Sequence, residues 1–175
     1  IQTTGQPMDL AIVGQGFFRV EGADGETYYT ENGQLHLNAE GLVVNSQGLP
    51  LVDQIVVPEG SSNFHVGSDG TVTVTNGQGQ QEELGQILLV NFVNPAGLEA
   101  LGGNLYRETA ASGEAVEGVA GTDGLGQLKQ YALEGSNVQV VEAMVQMIAV
   151  QRAYEANAKV LDASSGMMQY LNQSV

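Results

Sequence analysis

The stretch Gly135-Ser136-Asn137-Val138-Gln139-Val140-Val141-Glu142-Ala143-Met144 marks the point where a β-rich chain becomes a helical one. Gly135 breaks the preceding pattern. Ser136 is a favourable N-cap, and Gln139 three residues later completes the S-x-x-Q form of the capping box. Glu142 lies near the positive end of the helix macrodipole. These residues predict one long C-terminal α-helix that begins after Ser136.

A stripe with heptad spacing runs along this predicted helix. Two series of residues alternate at intervals of four and three, as in the seam of a coiled coil. The small β body that precedes the helix cannot bury the whole length of this stripe, so the stripe requires a partner. The predicted assembly residues are Val140, Met144, Met147, Gln151, Tyr154, Ala158, Leu161 and Met168. An amphipathic helix that lies across its own domain remains the alternative interpretation.

The residues before the helix carry the pattern of antiparallel hairpins. Short β-prone segments such as Thr71–Thr75 alternate with turn signals about every ten residues. Asp24-Gly25 and Asn32-Gly33 are the strongest hairpin signals, because both pairs accept the positive φ of tight turns. Gly14-Gln15-Gly16 predicts a kink between two strands.

The predicted fold class is therefore mainly β, with an antiparallel β domain of hairpins followed by one long C-terminal α-helix. We place the β-rich domain at residues 1–126, and the lead-in with the helix at residues 127–175. Residues 86–93 are the most apolar segment and are expected to form a central strand. Residues 95–101 are expected to form a short helical turn, and residues 102–126 to be rich in loops.

The charge distribution excludes some classes of partner. The chain of 175 residues has a net charge of −15, and residues 1–133 hold 16 acidic and 3 basic residues, a net of −13. No basic stripe is present to displace counterions, so neither nucleic acid nor an anionic membrane surface is an expected partner. Cysteine is absent and no apolar run reaches about eighteen residues, so disulfides, thiolate metal sites and a membrane-inserted helix are not predicted.

Signals for catalysis or cofactor binding are weak. Gly14-Gln15-Gly16 lacks the third glycine of a dinucleotide loop, and Phe17 and Phe18 stand where a helix would begin. His36 and His65 are far apart in the sequence, and no helix pairs them as metal ligands. The sequence predicts no cofactor, no metal site and no enzymatic activity. It leaves open one alternative, a glycosidase-like pair of carboxylates that folding would bring together.

Three stretches carry a resemblance to known proteins. The first is Gln6-Pro7-Met8-Asp9-Leu10-Ala11-Ile12-Val13-Gly14-Gln15-Gly16-Phe17-Phe18. The second comprises residues 91–98, 103–106 and 109–113. The third and most specific runs from Leu133-Glu134-Gly135-Ser136-Asn137-Val138 to Gln151-Arg152-Ala153-Tyr154-Glu155-Ala156-Asn157-Ala158-Lys159. Together they resemble the axial-protein family of the bacterial flagellum, which comprises its rod and hook proteins.

The resemblance implies a structural, non-enzymatic subunit of the flagellar rod, with an outer β domain and a helix of the inner tube. Residues 151–155 and the small β domain favour the distal rod, and the proximal rod and the hook are the alternatives within the family. The implied partners are its own copies, other rod and hook proteins, and the surrounding L- and P-ring proteins. The implied location is the basal body, reached through the flagellar type III export apparatus. Family members begin with an N-terminal helix that pairs with the C-terminal one, and this chain starts after that region.

A second class of function is compatible with the residues alone. An acidic β domain with a coiled-coil dimerisation helix would serve as a binding module or scaffold. The two classes differ in how they assemble, because a module forms small closed oligomers whereas a rod subunit forms open tubes.

Overall fold

The computed structural model describes residues 1–135 and 147–159. The chain divides into two compact units, Ile1–Gly135 and Ser136–Val175. The first unit is a β domain, and the second contains an α-helix, α1, at residues 147–159. The predicted fold class, mainly antiparallel β followed by a C-terminal helix, is confirmed.

Short strands make up the β domain, which also contains one 3₁₀ turn at Pro95–Gly97. The strands within residues 1–135 are β1 (Gln2–Thr3), β2 (Leu10–Val13), β3 (Phe18–Glu21), β4 (Thr27–Thr30), β5 (Leu35–Leu37), β6 (Val43–Asn45), β7 (Ser62–Val66), β8 (Thr71–Thr75), β9 (Gln81–Gln86), β10 (Leu88–Asn91), β11 (Glu99–Gly102), β12 (Leu105–Arg107), β13 (Val116–Val119), β14 (Gln127–Gln130) and β15 (Ala132–Leu133).

These strands pair in antiparallel fashion and form several small sheets. One sheet has the order β11-β12-β4-β3 and another the order β7-β8-β9, while β10–β13, β14–β2, β5–β6 and β1–β15 form two-stranded sheets. Hairpins supply the neighbouring pairs. The pairs β4–β12, β10–β13, β2–β14 and β1–β15 join distant parts of the chain and close the domain.

Five turns of one geometry connect neighbouring segments of the domain. In each, the first residue's N–H donates to the carbonyl of the fifth residue, and the fourth residue is a glycine at positive φ. Side chains are strained in this left-handed conformation, which explains the glycine. The prediction of a tight turn at Asp24-Gly25 is confirmed. The five turns are Gly22–Glu26, Asn38–Leu42, Asn45–Leu49, Gly67–Thr71 and Asn76–Gln80.

The predicted hairpin at Asn32-Gly33 is wrong. Strand β4 pairs with β3 and β12, whereas β5 pairs with β6, so the two strands that flank this dipeptide are not partners. A Cβ at Gly33 would lie 1.8 Å from the carbonyl oxygen of Leu10, and the Leu10 N–H donates to the Gly33 carbonyl. Glycine is required here because two backbones approach closely, not because the chain turns back.

Two predictions between residues 95 and 126 need correction. The 3₁₀ turn ends at Gly97, and residues 99–102 form strand β11 where the helical turn was expected to continue. Residues 102–126, expected to be loops, contain β12 and β13. Strand β12 forms a hairpin with its neighbour β11 and also pairs with β4, whereas β13 pairs with β10, which is remote in sequence. A local composition rich in Gly, Ser and Ala does not reveal these strands.

The compact β unit extends through Gly135. Strand β14 pairs with β2, and β15 pairs with β1, so residues 127–133 belong to the sheets of this unit. The boundary predicted after residue 126 therefore lies before the end of the compact unit. The lead-in to the helix is strand-like, as its sequence indicated.

Two hydrophobic clusters fill the domain, and a kink directs the chain into both. Gly14 and Gly16 have φ of 124° and 145°, so the predicted kink between β2 and β3 is confirmed. Phe18 then enters the larger cluster, while Phe17 enters a smaller aromatic one with Tyr29, Phe92 and Tyr106. Three edge-to-face pairs in the aromatic cluster have ring centroids 4.9, 5.8 and 5.9 Å apart. Each such pair contributes about 0.5–1.5 kcal/mol beyond area burial.

Candidate assembly surfaces

Helix α1 carries an exposed apolar stripe. Met147, Gln151, Tyr154 and Ala158 follow one another at intervals of four, three and four residues, so they lie on one face of the helix. The side chain of Met147 is 63% exposed and that of Tyr154 is 77% exposed, and Val150 beside them is 69% exposed. Large apolar side chains that share one helix face and stand in solvent are typical of a surface awaiting a partner.

The remaining predicted assembly residues lie outside the described residues. They are Val140, Met144, Leu161 and Met168, together with the predicted helix-cap residues Ser136 and Gln139. The structure therefore places Met147, Gln151, Tyr154 and Ala158 on a helix with the expected spacing. The assembly role of the full set stays a prediction.

The two ends of the β domain lie side by side. Strand β1 pairs with β15, with Gln2 opposite Leu133 and Thr3 opposite Ala132. The N–H of Thr4 also donates to the carbonyl of Tyr131 at 2.9 Å. The segment that leads toward the helix thus leaves the domain next to the segment that begins it.

Gln130 fixes this end of the domain through one side chain. Its Nε2 donates to the carbonyl oxygens of Pro7 at 2.6 Å and Phe64 at 2.9 Å. Its Oε1 accepts the N–H of Val66 at 3.3 Å and lies 3.1 Å from Nδ1 of His65. Strand β14, strand β7 and the first segment of the chain are thereby joined. Sequence reasoning missed Gln130, because its partners are remote in sequence and no local pattern marks it.

The second resembling stretch folds onto itself. The N–H and Nδ2 of Asn94 donate to the carbonyl oxygens of Ser112 at 3.1 Å and Ala111 at 2.9 Å. The hydroxyl of Thr109 donates to the Gly97 carbonyl at 2.6 Å. A Cβ at Gly97 would lie 2.5 Å from the backbone of Ala111, which explains glycine there. The structure therefore brings together residues 91–98 and 109–113, the two ends of the second resembling stretch.

An ion-pair network, buried at Asp53 and exposed at Glu117, links three parts of the domain. Nη2 of Arg19 on β3 lies 3.0 Å from Oδ1 of Asp53, and Nη1 of Arg19 contacts the carboxylate of Glu117 on β13. The Leu88 N–H also donates to Asp53 at 3.4 Å. Burial raises the pKa of Asp53, and the nearby guanidinium of Arg19 opposes that rise. Sequence reasoning missed this network as well, since its members are scattered along the chain.

The surface of the domain is acidic. Both Arg19 and Arg107 contact carboxylates of their own chain, and Lys129, Arg152 and Lys159 are exposed. Among residues 1–135 and 147–159, the acidic and histidine side chains form no group of three or more able to hold a metal ion. Across the same ranges, no helix has the length and apolar character needed to span a membrane.

Two family models match this chain. The flagellar hook protein FlgE/F/G D1 domain matches residues 11–74, and the flagellar basal body rod FlgEFG protein C-terminal model matches residues 129–174. The flagellar basal-body rod protein FlgG of Buchnera aphidicola subsp. Schizaphis graminum is 45% identical over 174 residues, which cover 99% of this chain and 67% of the relative. The chain belongs to the flagellar rod and hook protein family. The resemblance drawn from the sequence is thus confirmed.

Rod relatives match this member of the rod and hook family more fully than a hook relative does. The basal-body rod protein FlgG of Borreliella burgdorferi is 39% identical over 175 residues, which cover 98% of this chain and 66% of the relative. The hook protein FlgE of Salmonella typhimurium is 38% identical over 109 residues, covering 62% of this chain and 27% of the relative. The chain spans about two thirds of the length of these rod relatives. The matched C-terminal family model includes every predicted assembly residue.

Proposed function

We propose that this protein is a structural subunit of the flagellar distal rod, which polymerises into a rigid hollow shaft and transmits torque to the hook. The observation that carries the proposal is the match to basal-body rod proteins along almost the whole chain. No catalytic step is part of this function.

The exposed stripe of α1 supports a role in polymerisation. Met147 and Tyr154 would be buried against helices of neighbouring subunits in the inner tube, and the β domain would form the outer part of the shaft. Burying one large apolar side chain contributes about 1.5–3 kcal/mol. Many modest contacts of this kind, repeated along a helical polymer, would make the shaft stiff.

The partners in this proposal are other copies of the chain and the adjoining rod and hook proteins. L- and P-ring proteins would surround the assembled shaft. The protein would reach the periplasm-spanning rod through the flagellar type III export apparatus. The acidic, well-packed β domain fits a surface that has to remain soluble between export and assembly.

The first test introduces a charge into the stripe. In cells that lack the gene, the full-length protein with Met147→Asp should be produced but should not complete rods or restore swimming, because an unpaired charge buried in an interface costs several kcal/mol. Electron microscopy of isolated basal bodies and swimming assays provide the measurements. Met147→Leu is the matched control and should assemble normally. Normal motility with Met147→Asp would contradict the assignment of the stripe.

A second measurement separates the rod from the alternative module. The size distribution of the purified full-length protein, followed as a function of concentration, should show open tubes that lengthen with concentration. Small closed oligomers that stop growing would favour the binding module or scaffold.

A further inference from the structure

A groove on the β domain contains a carboxylate that lacks a partner among the described residues. The groove has a volume of about 670 Å³, and its polar lining comprises Asp9, Gln6, Gln34, His36 and Ser46. Asp9 is only 6% exposed. Within residues 1–135 and 147–159, its carboxylate forms no ion pair and accepts no hydrogen bond. The carboxylate lines the groove, where a cation could pair with it.

Two more carboxylates follow or precede, in sequence, the backbone partners of Asp9. Asp9 forms a backbone bridge with Gln34, and its carbonyl accepts the N–H of Ala132 at 3.4 Å. Glu31 lies shortly before Gln34, and Glu134 shortly after Ala132. Partial burial raises the pKa of Glu31, and the charge of Glu134 raises it further. Asp9 supplies the negative charge of the groove lining itself, which favours a positively charged occupant.

The described cations of the β domain are poorly suited to fill the groove of their own domain. Arg19 and Arg107 contact carboxylates elsewhere in that domain, and Lys129 is exposed on β14. Helix α1 offers Arg152 and Lys159, both exposed and outside the ion pairs of the described residues. They are separated by two helical turns, about 10 Å, and share one side of the helix.

We propose that the Asp9 groove receives Arg152 from the helix of a second copy of this chain. The inference rests on the proposed function, because it names a contact between subunits of the polymer. Charge complementarity between the acidic groove and the helix selects this occupant. A planar guanidinium pairs with a carboxylate through two parallel hydrogen bonds, and the side-chain oxygens of Gln6, Gln34 and Ser46 are acceptors for its other N–H groups. Arginine suits this site better than Lys159, because its head group is more weakly hydrated and its donors form a rigid fork.

A double-mutant cycle in the full-length protein tests the pair. Asp9→Asn and Arg152→Gln should each raise the concentration needed for polymerisation by about tenfold or more, since each leaves the other charge buried without its partner. The double variant should be no worse than either single variant, because the two substitutions remove the same contact. If the two substitutions raise the polymerisation threshold independently, so that their factors multiply in the double variant, the pairing of Asp9 with Arg152 is overturned.

Matched substitutions at other charges control for a general effect of charge. Glu82→Gln on β9 and Lys129→Gln on β14 are exposed and should leave the polymerisation threshold unchanged. Circular dichroism melts show whether each variant folds. If the wild-type protein does not polymerise at all, the proposed function fails; if it does and Asp9→Asn polymerises equally well, only the groove assignment fails.

Cysteine crosslinking tests the geometry without altering either charge. The chain contains no cysteine, so each variant can carry a single one: Ser46→Cys on the groove, or Ala156→Cys one turn from Arg152. The two full-length variants are given tags of different size and are mixed before assembly. Oxidation after assembly should produce a disulfide-linked product of both sizes. Absence of this product from assembled tubes would overturn the proposal.

Discussion

Asp53 shows how a single residue can link separate parts of the β domain. Its side chain is 7% exposed, and its charge is balanced by Arg19, whose own side chain is 15% exposed. Replacing Arg19 with methionine should keep most of the packing volume but leave Asp53 buried beside Glu117 without a cation. We expect the free energy of unfolding to fall by about 3–5 kcal/mol, measured by urea denaturation of the full chain.

The second ion pair of the domain provides the control for this substitution. Arg107 and Glu99 are 46% and 50% exposed, so water screens them. Arg107→Met should change the free energy of unfolding by no more than about 1 kcal/mol. Equal losses from the two substitutions would show that burial does not govern the Arg19 network.

The effect of Arg19→Met should also depend on pH. Burial raises the pKa of Asp53 in the folded state, and removing Arg19 removes the group that opposes the rise. A carboxyl whose folded pKa is raised binds its proton more readily in the folded state, so acidification through that pKa favours folding. The difference in the free energy of unfolding between wild type and Arg19→Met should therefore be smaller at about pH 4 than at about pH 7. A difference that grows toward low pH would contradict this account.

Residues that act locally could be predicted from the sequence, and those that act at long range could not. The spacing of Met147, Gln151 and Tyr154 is visible in a window of eight residues, and the structure places all three on a helix. Gln130 and Asp53 look ordinary in their local sequence. Their importance depends on partners that only folding brings near, so no spacing rule could identify them.

At the scale of elements, two of the glycine turns allow the cost of a side chain to be compared at glycines that have the same backbone conformation but different surroundings. Gly48 and Gly70 occupy the same place in two of the five turns, with φ of 82° and 91°. A Cβ at Gly48 meets nothing within 4 Å, whereas one at Gly70 would lie 2.2 Å from the Ile87 carbonyl oxygen.

Gly48→Ala should cost about 1–2 kcal/mol for the left-handed conformation alone. Gly70→Ala should cost about 1–3 kcal/mol more, because the methyl group would clash with the carbonyl oxygen of Ile87. Chemical denaturation of both variants gives the difference. Equal losses would mean that the backbone around Ile87 yields without cost.

Strands were predictable where alternation or a turn signal was strong. Thr71–Thr75 is buried at its two valines and half-buried at its threonines, as period-two alternation predicts. The same reasoning failed at β13, whose partner β10 lies far away in sequence, and at β12, whose short hairpin with β11 carries no strong alternation. It also misread Asn32-Gly33, because a glycine that allows close backbone contact and a glycine that allows a turn look identical in a sequence.

At the scale of the whole molecule, the β unit should fold without the helix. Residues 1–135 contain every strand named above and both hydrophobic clusters. A protein truncated after Gly135 should be a monomer that unfolds cooperatively, as followed by circular dichroism and sedimentation. Truncation after Gly126 removes β14 and β15, so it should melt at a lower temperature or fail to fold. A molten or aggregated 1–135 fragment would show that the helix belongs to the core.

The pairing of β1 with β15 has a consequence for how such proteins can diversify. Because the unit begins and ends in adjacent antiparallel strands, its two ends remain neighbours whatever lies between them. The β unit can therefore change in size without changing the positions at which the chain enters and leaves it. Insertions or deletions between β1 and β15 would change the size of the unit without moving its two ends apart.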